Sequence, residues 1–158
     1  MTEIQTIEGD FDCGNARFGI AATRFNGFVV ESLVSGAVDA LRRHGVESQR
    51  IRLVRVPGAY ELPLVVRRMA RSGSYDALIV LGCVIRGSTP HFDYVAGNAA
   101  SGLSTVMLEE EVPIAFGLLT TDTIEQALER AGTKAGNKGN DAALTAIEMV
   151  SLMDRLQG

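Results

Sequence analysis

Short apolar runs alternate along this chain with stretches whose apolar residues recur every three or four positions. That alternation constrains the fold more than any other feature. Residues 18–22 read as a buried strand, and Val30, Leu33, Val34, Ala37, Val38 and Leu41 then fall on one helical face. The helical pattern stops at His44-Gly45, where glycine suits a helix terminus. Residues 51–56 read as a second strand, Pro57-Gly58-Ala59 breaks it, and 62–70 reads as a second helix. Residues 76–81 (DALIVL) are apolar enough for a strand covered on both faces. A loop over 82–89 leads to a helix over 92–108, and 112–118 reads as a fourth strand. Asp122 to Glu125 has capping-box spacing and opens a helix running to Arg130. Residues 132–139 (GTKAGNKG) form a break before a last helix over 142–156.

Strands alternating with helices imply an α/β fold: a three-layer α/β/α sandwich around a four-stranded parallel sheet, with right-handed crossovers. At 158 residues the chain fits one domain, taken as 17–158, preceded by a polar arm over 1–16 with Ile4, Ile7 and Phe11 as isolated apolar points. The arm reads either as a frayed terminus or as an extension that adds a strand to a neighbouring sheet edge. Hydrophobic residues at 46% and charged residues at 22% are globular values. No apolar run is long enough to span a membrane. A net charge of −4 argues against nucleic acid as a partner. Two distant cysteines, Cys13 and Cys83, argue against a disulfide framework and fit the cytoplasm.

In open parallel sheets, ligands bind beyond the carboxyl ends of the strands. The loops expected there hold the unusual residues. Gly82-Cys-Val-Ile-Arg-Gly87-Ser88-Thr89 has the outline of a phosphate loop, but lacks the lysine of a nucleotide P-loop. Either Thr89 and Pro90 merely cap a helix, or the helix start with Gly87, Ser88 and Thr89 binds an anion. His91 beside it is either a surface residue of the first turn or a base or proton shuttle near neutral pH. Both lysines, Lys134 and Lys138, lie in GTKAGNKG close to Arg130, as an anion clamp or a solvated turn. Glu61 reads as a ligand acceptor or as a helix-start residue. Phe25 and Phe116, each near a strand end, read as stacking rings or as packing. No HExxH or GxSxG is present, so metal hydrolysis and serine-triad chemistry have no support.

In order, the segments are Arg24-Phe25-Asn26, Val56-Pro-Gly-Ala-Tyr-Glu61, Leu81-Gly-Cys-Val-Ile-Arg-Gly87, Thr89-Pro-His-Phe-Asp-Tyr-Val95, Phe116-Gly-Leu-Leu-Thr-Thr121 and the run Glu125 to Gly139. Together they resemble the lumazine synthase family from about Arg17 to the C-terminus. The resemblance implies a flavodoxin-like fold and a transferase of riboflavin biosynthesis. Its reaction joins 5-amino-6-(D-ribitylamino)uracil to 3,4-dihydroxy-2-butanone 4-phosphate, giving 6,7-dimethyl-8-ribityllumazine without an organic cofactor or metal. It implies that Phe25 lies against the pyrimidine ring. Ala59, Tyr60 and Glu61 hold the ribityl chain and pyrimidine, and the backbone of Cys83, Val84 and Ile85 reads the polar edge of the heterocycle. Ser88 and Thr89 take the phosphate and His91 moves protons. Phe116 and Arg130 come from the neighbouring subunit, with Lys138 as a nearby cation. It further implies a homo-oligomer built of pentamers, with an icosahedral shell of twelve pentamers favoured by the compact GTKAGNKG turn. The competing expectation is a protein of the same fold that binds flavin or builds shells without catalysis.

Overall fold

The computed structural model describes residues 3–133 and 136–157. Strands β1 (Phe18–Thr23), β2 (Ile51–Val56), β3 (Ala77–Ile85) and β4 (Ile114–Thr121) form a parallel sheet in the order β2-β1-β3-β4. Helices α1 (Gly27–Arg43), α2 (Leu62–Arg71), α3 (His91–Glu110), α4 (Ile124–Glu129) and α5 (Lys138–Leu156) alternate with or follow the strands. This is the three-layer sandwich expected from the alternation, and it is flavodoxin-like, as the family resemblance implies.

Strand period and helix face together build the layers. Phe18, Ile20 and Ala22 of β1, with Ala77, Ile79, Leu81 and Cys83 of β3, point to one face. There they pack on Leu33, Ala37 and Leu41 of α1 and on Ala143, Ala146 and Ile147 of α5. The alternate residues, Ala21, Leu78 and Val80, point to the other face and meet Leu62 and Val66 of α2 and Leu103 of α3. Every residue of β1 is buried, as a strand covered on both sides must be. No helix among the described residues is long and apolar enough to cross a membrane.

Bounds of α3 and β4 move by up to three residues from the sequence reading, to His91–Glu110 and Ile114–Thr121, and four further differences each have a local reason. β3 continues through Gly82 to Ile85, where Cys83, Val84 and Ile85 pair with Leu119, Thr120 and Thr121. Gly82 marks close packing within the strand, since a Cβ there would meet Leu118 Cδ1 at 2.7 Å and Thr23 Oγ1 at 3.0 Å. The cap of α4 is set one residue later than expected: Thr123 Oγ1 accepts from Gln126 N at 3.1 Å, and Gln126 Oε1 accepts from Asp122 N at 2.8 Å. The stretch 132–139 holds a small antiparallel hairpin, β5 (Ala131–Thr133) with β6 (Gly136–Asn137). α5 starts four residues earlier than expected, because Asn137 Oδ1 accepts from Gly139 N and Asn140 N at 2.8 and 3.1 Å.

Residues 3–7 carry no helix or strand. From Glu8 onward the segment lies along α5. Asp10 N donates to Ser151 Oγ at 3.0 Å, Arg155 donates to the Glu8 carbonyl, and Cys13 and Ala16 are buried in the α1/α5 core.

Candidate active site

The strand order reverses between β1 and β3. The connection after β1 leads to β2 on one side, while the chain continues to β4 on the other. Chains leaving a sheet at such a point diverge and leave a crevice between them. Here the crevice is a cleft of about 770 Å³.

Each wall of the cleft follows from its local chain path. β1 ends at Thr23, and Arg24 N still donates to Val56 O at 2.8 Å, so the loop after β1 starts level with the end of β2. Phe25 follows and stands 70% exposed at the mouth, a large ring left in water. Ala59, Tyr60 and Glu61 form a single 3₁₀ turn before α2. Ala59 is buried there, while Tyr60 and Glu61 are exposed to the cleft. The ends of β3 supply Cys83, Val84 and Ile85. Cys83 is buried, and burial pushes its thiol up to about 11, so it is a packed neutral thiol and no nucleophile.

The fourth wall is the turn into α3, with Gly87, Thr89, His91 and Phe92 on the cleft. The helix begins at His91, its N-cap position is Pro90, and no side chain caps it. Thr89 therefore lies one residue outside the cap, and the reading of Thr89 as a plain cap fails. Twenty residues of α3 turn their positive end toward Thr89 and His91, the arrangement that favours an anion. Ser88 sits between two lining residues, Gly87 and Thr89, and is exposed without lining the cleft itself.

The other expected residues are elsewhere. Phe116 projects from β4, the edge strand, and borders a second hollow of about 400 Å³ with Arg130, Lys138 and Asp141. Arg130 donates to Gln126 O at 3.0 Å and lies 3.9 Å from Glu129 Oε2. Lys134, the other half of the expected clamp, lies outside the described residues. One chain thus carries two separate surfaces: an aromatic and imidazole cleft beside a helix start, and a cationic hollow on the sheet edge.

Two contributors were not singled out by sequence reasoning. Asn26 fastens the Phe25 loop to β3, donating from Nδ2 to Cys83 O at 2.9 Å with φ at 59°. Phe92 lines the cleft beside His91. Both lay inside quoted segments, yet only the tertiary crossing of β1 and β3 gives Asn26 a partner.

The sequence profile described as 6,7-dimethyl-8-ribityllumazine synthase matches residues 15–154. A curated 6,7-dimethyl-8-ribityllumazine synthase from Nitratidesulfovibrio vulgaris (strain DSM 19637 / Miyazaki F) is 56% identical over 156 residues, covering 99% of this chain and 100% of that protein. With these matches spanning almost its whole length, the chain belongs to the 6,7-dimethyl-8-ribityllumazine synthase family.

Proposed function

We propose that this protein condenses 5-amino-6-(D-ribitylamino)uracil with 3,4-dihydroxy-2-butanone 4-phosphate to form 6,7-dimethyl-8-ribityllumazine, the penultimate step of riboflavin biosynthesis. The observation that carries this reading is the cleft at the β1/β3 fork. It joins a bare aromatic ring, Phe25, to an imidazole, His91, at the positive end of a long helix. A flat heterocycle, a proton to be moved and an anionic leaving group call for those three features.

The roles follow from position. Phe25 stacks on the pyrimidine, and Ala59, Tyr60 and Glu61 hold its ribityl chain and ring. The backbone at Cys83, Val84 and Ile85 faces the polar edge of the heterocycle, and Ser88 and Thr89 take the phosphate at the α3 start. The exocyclic amine attacks the ketone, and water leaves as the imine forms. Phosphate then departs with its bonding electrons, the second amine closes the ring, and a further water is lost. His91 takes and returns the protons these steps displace, a contribution of about 10²–10⁴-fold for a positioned acid–base group. Holding two substrates in one cleft supplies much of the remaining acceleration.

The separation of the two hollows supports a shared site. Phe116, Arg130 and Lys138 complete the cleft of a neighbouring copy, with Arg130 on the phosphate. The assembly is a homo-oligomer of pentamers, twelve of which close an icosahedral shell, working in the cytoplasm. Residues 17–158 form the folded domain, residues 8–16 pack along its α5, and the arm reaches toward a neighbour with Ile4 and Ile7, which are 89% and 49% exposed. Mixing the purified protein with both substrates and following lumazine fluorescence tests the activity. Absence of product with FMN retained through purification overturns it, and sedimentation as pentamers or decamers alone overturns the shell.

A further inference from the structure

Arg86 is the first residue beyond β3, and the roles above do not use it. Its main-chain N–H donates to Thr121 O at 2.8 Å, prolonging the β3–β4 pairing by one step. Its guanidinium has three neighbours. Nε donates to Asp122 Oδ1 at 2.9 Å, Nη2 lies 3.3 Å from Asp93 Oδ1, and Cζ stands 4.4 Å from the centre of the Phe92 ring. Phe92 and Asp93 are the two residues directly after His91, in the first turn of α3. Asp122 is in the loop that leads into α4, the helix whose end carries Arg130.

We infer that Arg86 is a positioning residue for His91. It pins the uncapped first turn of α3 to the paired ends of β3 and β4, so that the imidazole keeps its place on the cleft. The inference rests on the reaction proposed above. The turn lacks a side-chain cap, and this clamp ties it to the sheet from outside the helix. A guanidinium over an aromatic ring with carboxylates at its edge holds a fixed plane, which a flexible ammonium would not. A cation beside a phosphate loop invites the other reading, direct contact with the substrate phosphate. The geometry disfavours it: two carboxylates already take the Nε and Nη2 donors, leaving the three-residue cluster with a net negative charge.

The test is a double-mutant cycle on the intact assembly, with kcat and the KM of each substrate read from product fluorescence. Arg86→Met is expected to lower kcat about tenfold, as small misplacements of a reacting group do, and to leave the phosphate substrate's KM within about twofold. In a His91→Ala background the same change is expected to alter kcat less than about twofold, since there is no imidazole left to position. Arg86→Lys, which keeps the charge without the planar fork, is expected to resemble Arg86→Met and guards against a folding defect. Equal losses of kcat with and without His91 would overturn the inference in favour of a general structural role. A raised phosphate-substrate KM at unchanged kcat would overturn it in favour of anion binding. Amide exchange over residues 93–95, the first hydrogen-bonded N–H groups of α3, faster in Arg86→Met than in wild type, gives a readout independent of turnover. Unchanged exchange overturns the clamp, whereas a wild-type protein that makes no product overturns the reaction instead.

Discussion

Asn26 donates its side-chain amide to the carbonyl of Cys83 at 2.9 Å while its own backbone sits in the left-handed region, at φ 59°. The bond crosses the fork between β1 and β3 and sets where the Phe25 loop leaves the sheet. Asn26→Ala loses the bond and places a Cβ residue with no amide in a left-handed conformation, at a combined cost of about 1–3 kcal/mol. Asn26→Gly loses the bond but accepts the backbone. Both variants are expected to raise the KM for the pyrimidine substrate, and thermal denaturation is expected to rank Ala below Gly. An equal fall in Tm for the two would remove the backbone contribution.

His91 opens α3 on the cleft and is exposed, so its removal leaves no buried void. His91→Ala is expected to lower kcat by about 10²-fold or more, with the KM of both substrates within about threefold and an unchanged Tm. Single-turnover fluorescence checks this. A large KM effect at constant kcat would reassign the residue to binding.

Arg130 and His91 lie on different hollows of one chain. Arg130→Ala is expected to raise the KM of the phosphate substrate by about tenfold or more, the worth of a charge-assisted hydrogen bond, and to spare the pyrimidine. At a phosphate-substrate concentration well below KM, where each variant alone runs at about a tenth of wild type or less, His91→Ala and Arg130→Ala subunits reassembled together in equal amounts are expected to reach about a quarter of wild-type activity, because a quarter of the shared sites then carry both groups. No recovery in mixed assemblies would place the two groups in one subunit's site.

Burial raises both thiols above their ordinary range, Cys83 to about 11. The unfolded chain therefore ionises first as pH climbs past the ordinary 9, and stability is lost progressively from there up to the folded value. Native protein at pH 8 is expected to leave both cysteines unreacted toward a thiol reagent, and denatured protein to titrate two. The decline in Tm above pH 9 is expected to be shallower in Cys83→Ala. Rapid native labelling of Cys83 would contradict its burial.

Local signals made much of this legible from the residues. A continuous apolar run marked β1 and a period-3.6 pattern marked α1, each to within a few residues, and glycine at 45 ended α1 as its φ of 85° requires. Phe25 and His91 stood out because an aromatic and an imidazole in loops near strand ends are unusual, whereas Tyr60 entered only through the family resemblance. What stayed hidden depends on partners distant in sequence. Gly82 looks like a break until Leu118 and Thr23 are seen against it. Arg86 looks like a loop cation until Asp93, Asp122 and Phe92 surround it. The separation of Phe116 and Arg130 from the cleft has no trace in spacing, because they are sorted by the sheet edge and not by sequence distance.

Asn137 fixes the start of α5 from two directions. Its Oδ1 caps the helix through Gly139 N and Asn140 N, and its Nδ2 donates to Ser32 O on α1 at 3.0 Å. Gly139, two residues on, lies so close to α1 that a Cβ would meet Leu33 O at 2.0 Å. The helices touch here backbone to backbone, and the contact also fixes Lys138, which borders the second hollow. Asn137→Ala removes the cap and the crossing bond together and is expected to destabilise the chain by about 1–3 kcal/mol. Gly139→Ala forces the helices apart and is expected to cost about as much or more, by overpacking. Urea unfolding measures both. Asn137→Asp separates the two functions, because its carboxylate still caps the positive helix end but cannot donate to Ser32, so its loss is expected to be smaller than that of Asn137→Ala. Equal stability of the Asp and Ala variants would show that the bond to α1, and not the cap, holds α5 in place.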